Sequence, residues 1–228
     1  MTHITRLAAL ALGAAVFSAS AESDVFRCHD QPIEVRRSED GMLDEVCTAA
    51  AAALRFLRSY DLRPKRTIRI DIVDQPLQQY GYHAYGRYNT RTDTIQVMSL
   101  RAVRNSTTPP TMYEESFDLA HYRGAIAHEV AHAVVQHNRH VSSLSNAAQE
   151  YLAHATQLAV LPDPRRAEII RSADVGPWET DDVISDIYMA MAPQRFAVKS
   201  YLHLTKGENS RKFVQILLAS KWYYVNVR

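Results

Sequence analysis

At 228 residues, 46% hydrophobic and 22% charged, the chain is long enough for one domain with a real core. Its 26 Lys and Arg side chains are balanced by 25 Asp and Glu. That balance argues against steering to nucleic acid or to an anionic surface, and no apolar run reaches the length of a stable membrane span.

Residues 1–21 have the pattern of an export signal. Arg6 supplies the positive start, Leu7 to Phe17 is a short Ala- and Leu-rich apolar run, and Ala19-Ser20-Ala21 is a small-residue cleavage site. The expected product is one domain over residues 22–228, periplasmic or secreted. Its cysteines, Cys28 and Cys47, are expected to form a disulfide in that oxidising setting and to pin an N-terminal strand to the first helix. A metal site built on them would need further soft ligands that the chain does not offer.

Val25 to Arg37 is predicted to be extended, broken at Pro32, and Asp40 to cap a helix from Leu43 to Tyr60 with an alanine-rich centre. After a turn at Asp61–Lys65, Thr67 to Val73 alternates Ile68, Ile70 and Ile72 with polar residues, the mark of a strand with one wet face. Tyr80 to Tyr88 is aromatic and holds Gly81 and Gly86, which predicts a mobile loop or an irregular hairpin arm. Asp93 to Met98 alternates again, with Ile95 and Val97 inward. A long helix is predicted to begin near Ser116 or Asp118 and to break around Asn138 to Ser143. A second runs from a Ser145 cap through Leu161 and stops at Pro162 and Pro164. Shorter helices are expected at Arg165–Ser172, Thr180–Met191, Gln194–Leu204 and Ser210–Tyr223. The expected architecture is α+β, with a sheet-rich part over about 22–105 and a helical part over about 112–228.

The long helix contains His128-Glu129-Val130-Ala131-His132. Two histidines four positions apart share one helical face and can grip one ion, while Glu129 can reach a water on it. A catalytic ion needs a third protein ligand and an open position. His137 and His140 point away from, or past, the ion if the helix continues. Glu150 is the better third ligand, because the turn formers between the helices let them run back on each other and face it toward the histidine pair. His154, one turn beyond Glu150, is read first as an orienting partner of the ligands, with an alternative ligand, a transition-state donor and a merely satisfied core or surface histidine as the other readings.

With these residues the chain resembles the gluzincins, the branch of zincin metallopeptidases in which a His-Glu-x-x-His helix is followed by a glutamate ligand on a second helix. It is closest to small exported proteins of that kind. The resemblance covers roughly Ile68 to Leu161. It implies a zincin-like α+β fold, one Zn2+ held by His128, His132 and Glu150, and Glu129 as general base. It also implies that the strand Asp93–Met98 is the edge along which an extended peptide lies. The chain departs from the pattern in a slightly shorter gap to Glu150. It also carries His154 where several members place an aspartate that orients a zinc histidine.

The expected activity is zinc-dependent hydrolysis of a peptide or protein substrate. Candidate transition-state donors are Tyr80, Tyr82, His83, Tyr85 and Tyr88, with Tyr201 and His203 farther on. Glu114 and Glu115 are expected to favour the positive end of the metal helix. Two competing readings are a non-catalytic binding domain on the same frame and a zinc hydrolase of a non-peptide amide or ester.

Overall fold

Ile68, Ile70 and Ile72 are buried in turn with the half-exposed Arg69, Asp71 and Val73, and this alternation builds the middle strand of a mixed sheet. The computed structural model describes residues 25–36, 42–79, 82–106, 108 and 110–227, with main chain alone at 79, 82 and 83. The predicted signal segment 1–21 and the predicted cap Asp40 lie outside them.

The elements run β1 (Val25–Arg27), β2 (Ile33–Arg36), α1 (Leu43–Arg58), β3 (Ile68–Val73), β4 (Leu77–Gln79), β5 (Tyr82–Ala84), β6 (Gly86–Asn89), β7 (Thr94–Met98) and α2 (Leu100–Arg104). There follow β8 (Thr111–Met112), β9 (Glu115–Ser116), α3 (Leu119–Asn138), α4 (Asn146–Val160), α5 (Asp163–Ala173), β10 (Val183–Ser185), α6 (Asp186–Met191), α7 (Pro193–Lys206), α8 (Ser210–Leu218) and β11 (Tyr224–Asn226). The main sheet has the order β1-β2-β3-β7-β6. Its inner pairs β2–β3 and β3–β7 are parallel, and the outer pairs β1–β2 and β6–β7 are antiparallel. The architecture is therefore mixed α/β, with eight helices among the described residues. Among them no helix is long and apolar enough to cross a membrane.

Cys28, just after β1, is bonded to Cys47 in α1, so the disulfide ties the first strand to the first helix. Within the segment Tyr80 to Tyr88, β5 pairs antiparallel with the preceding β4 and β6 follows, while residues 80 and 81 lie outside the described residues.

Three expectations are corrected. Asp93–Met98 is not the edge strand: β7 is paired on both sides, and the edge is β6. The turn between them, with Asp93 at φ 52°, folds β6 back along the outer side of β7. The helix expected over Thr180–Met191 is a strand followed by the short α6. The last helix stops at Leu218 instead of reaching Tyr223. Both changes come from one long-range pairing, Val183–Ser185 against Tyr224–Asn226, which buries Ile184 and Val225. Local periodicity does not register a partner so distant in the chain.

Asp93 anchors the edge hairpin to the rest of the fold. Its carboxylate accepts from Tyr88 Oη at 2.5 Å, from His137 Nε2 at 3.1 Å and from the Arg66 guanidinium. Partial burial works to raise its pKa, but these donors outweigh it and bring the group to about 2. A carboxylate depressed in this way stabilises the folded state above its unfolded pKa and loses that contribution as pH falls through its folded value. Asp93→Asn is expected to lower stability at pH 7 by about 1–3 kcal/mol. Thermal melts of variant and wild type should converge between about pH 4 and pH 2.

Candidate metal centre

The site rests on α3, which is buried on nearly every side. From Tyr122 to Val135 only Arg123 and His128 are not fully buried. A helix apolar all round belongs inside a domain, and α3 lies between α1, α4 and the strands β6 and β7. Its start is fixed by a capping box, in which the Asp118 side chain accepts from the His121 amide and the His121 ring accepts from the Asp118 amide. Gly124 allows the close approach of α4: a Cβ there would stand 3.3 Å from Gln157 Cγ and 3.4 Å from Leu161 Cδ2. The segment between Asn138 and Ser145 turns the chain, and Ser145 caps α4 through the Ala148 amide.

This hairpin of helices brings His128, His132 and Glu150 together. The two Nε2 atoms are 3.1 Å apart, Glu150 Oε2 is 3.3 Å from His128 Nε2, and Glu150 Oε1 is 3.5 Å from His132 Nε2. Ligand bonds of about 2.0–2.2 Å at tetrahedral angles separate the donor atoms by about 3.3–3.6 Å. The contacts, made to His128 by one Glu150 oxygen and to His132 by the other, are close to that spacing, and the three residues could hold a metal ion.

Burial and mutual contact set the charge of these residues. Burial tends to raise the Glu150 pKa, yet the surrounding histidines, His132 and His128 first, overcome it and hold the carboxylate ionised far below its ordinary range. His132 is driven down to about 4 by burial, and His154 to about 3 by burial and the nearby His128. Burial also works to lower His128, but its contact with the Glu150 carboxylate prevails and the net shift is upward. The negative charge is therefore concentrated at Glu150, where a cation would neutralise it.

Glu129 is 7% exposed and lies under the edge strand. A Cβ on Gly86 would fall 2.7 Å from Glu129 Cγ, so the absence of a side chain at Gly86 is what lets β6 close over the carboxyl. Burial lifts the Glu129 pKa to about 7, with His128 opposing the rise and Glu150 adding to it. Beside these groups opens a cleft of about 710 Å3. His128, Glu129, His154 and Gln157 line its helical side, Gly86 its strand side, and the Met112–Glu114 turn and the Met191–Arg195 corner the remainder.

His154 lies on the cleft wall, its ring edge-on to His128 at 4.8 Å and its Nε2 3.7 Å from Glu150 Oε2. Tyr85 lines the cleft, but its hydroxyl donates to the Thr111 carbonyl at 2.9 Å. Tyr88 is turned to Asp93. Tyr201 and His203 are not brought to the site. Tyr201 packs on the apolar cluster that contains Leu158, Leu161 and Ile169, with Arg166 over its ring, and His203 Nδ1 pairs with Tyr151 Oη at 2.6 Å. Glu115 meets Arg165 and His121 at the start of α3, while Glu114 lines the cleft. The side chains of Tyr82 and His83, and all of Tyr80, lie outside the described residues.

Sequence reasoning passed over Gly86 as a packing partner of Glu129, and over Gln157. The Gln157 Oε1 is 3.0 Å from His128 Nδ1. Nothing in the spacing marks Gln157, although its place two turns beyond Glu150 puts it on the same face of α4.

Glu129 also sets a pH dependence. Its folded pKa, about 7, lies above the usual 4.5, so the unfolded chain ionises first. The folded state of the metal-free protein therefore loses stability as pH rises through that window. Metal-free Glu129→Gln should be more stable than metal-free wild type at pH 8. The difference should vanish near pH 4, as read by thermal denaturation in chelator.

No curated protein and no solved structure matches the chain. A model of a family of unknown function, DUF6639, matches residues 33–227. That span covers most of the sequence, and the chain belongs to this family.

Proposed function

We propose that this protein is an exported, zinc-dependent hydrolase of peptide bonds, of gluzincin-like design. The observation that carries the reading is the convergence of His128, His132 and Glu150 donor atoms at 3.1–3.5 Å, with a buried carboxyl and an open cleft beside them. Two imidazoles and a carboxylate form a mixed set that suits zinc. The Cys28–Cys47 disulfide supports an oxidising compartment and agrees with the signal-like N-terminus.

Zinc at these donors would supply Lewis acidity, lowering the pKa of a water and polarising the substrate carbonyl. The rest of the chemistry belongs to the chain. A cation held by these donors would favour the ionised form of the Glu129 carboxyl, which could then accept a proton. Glu129 takes that proton from the attacking water and returns it to the leaving amine. Gly86 keeps the strand close enough to exclude bulk water from Glu129 while leaving the cleft side open. His154, a neutral imidazole on the cleft wall, supplies an N–H toward the oxygen that gains charge. Gly86 of the edge strand β6 borders an open cleft, which favours a peptide over a small ester held in a closed pocket.

The test is hydrolysis of a fluorogenic peptide library by zinc-loaded protein. Glu129→Gln should keep one zinc per chain and lose about 10²–10⁴-fold in rate. Chelation should abolish the wild-type activity, and zinc should restore it. Full turnover in Glu129→Gln, or a wild type that binds no zinc, overturns the reading. Gly86→Ala should cost roughly 10²-fold in kcat by displacing Glu129, with zinc content unchanged by atomic spectrometry.

A further inference from the structure

Gln157 is 4% exposed and sits between the two helices that form the metal centre. Its stem packs against Gly124. Its amide is used at both ends: Oε1 faces His128 Nδ1 at 3.0 Å, and Nε2 donates to Met112 Sδ at 2.8 Å. A thioether is a weak acceptor, so that second bond is a poor return for burying an amide in apolar surroundings. Packing alone would be served as well by methionine or leucine. What the amide oxygen adds is a fixed partner for one nitrogen of His128.

An amide oxygen can only accept, so His128 Nδ1 carries a proton, and in the neutral ring Nε2 is then the nitrogen with the lone pair. Nε2 is the atom that faces His132 and Glu150. The orienting group is also uncharged. Glu150 and Glu129 already place two carboxyls in this buried region, and a third would lessen the net positive charge available to a substrate carbonyl.

We infer that Gln157 is the positioning residue of this centre, setting the His128 tautomer and orientation through a neutral amide in the role that a carboxylate often fills. The inference rests on the metal reading of His128, His132 and Glu150.

The experiment measures Zn2+ affinity by competition with a chromophoric chelator, in full-length Gln157→Met and Gln157→Glu beside wild type. Methionine keeps the length and flexibility of the side chain and removes the acceptor. Its affinity should fall 10–100-fold. Glutamate restores an acceptor with added charge, and its affinity should equal or exceed that of wild type. The visible spectrum of the Co2+-loaded protein should shift in Gln157→Met, a change that loss of packing alone does not produce. Affinity in Gln157→Met within threefold of wild type, or an equal fall in Gln157→Glu, overturns the inference while leaving the metal centre intact. A wild type that binds no Zn2+ instead removes the metal reading itself. If Gln157→Met fails to fold by circular dichroism, the glutamate variant decides alone, since a fall in its affinity contradicts the acceptor role.

Discussion

The close packing of α3 on α4 is the constraint on which the rest depends. Gly124 lets the helices approach until Gln157 and Leu161 lie within van der Waals reach of where a Cβ would be. At that separation, a carboxylate on α4 and two imidazoles on α3 meet with their donor atoms 3.1–3.5 Å apart. Ionisable groups crowded at this distance in a low-dielectric interior act strongly on one another. Burial lowers the pKa of His132 and His154, while the Glu150 carboxylate raises that of His128. The same geometry therefore explains both the ligand set and the displaced pKa values.

The sheet contributes from the other side. Its outermost strand, β6, runs antiparallel to β7 and passes over Glu129 where Gly86 has no side chain to obstruct it. Asp93 holds that strand in register through Tyr88 and secures it to the end of α3 through His137. Helix α3 is thus clamped at both levels, by α4 along one flank and by the edge hairpin along another. Glu129 is buried because these two contacts close around it, and its raised pKa follows from that burial.

Much of this was legible in the sequence because it depends on short-range pattern. Alternation at Ile68, Ile70 and Ile72 marked β3, and Ser145 with Pro162 bounded α4 within a residue or so. The four-residue spacing of His128 and His132 placed them on one helical face. Glu150 could be reached as well, because the turn-forming segment before Ser145 implies that two consecutive helices double back. The less legible parts were those in which distant segments choose each other. Val183–Ser185 looked helical until its pairing with Tyr224–Asn226 was seen, and Tyr201 and His203 looked available until their partners, Arg166 and Tyr151, were known.

By itself the amino-acid sequence determined the helix with the histidine pair, the second helix with its carboxylate, and the two cysteines able to bond, since each is a matter of residue type and local periodicity. Only the tertiary structure decided which strand forms the edge, that Gly86 covers Glu129, and that an uncharged Gln157 faces His128. These are contacts across long stretches of chain, set by how whole elements pack, and a side chain carries no local mark of the neighbour it will meet.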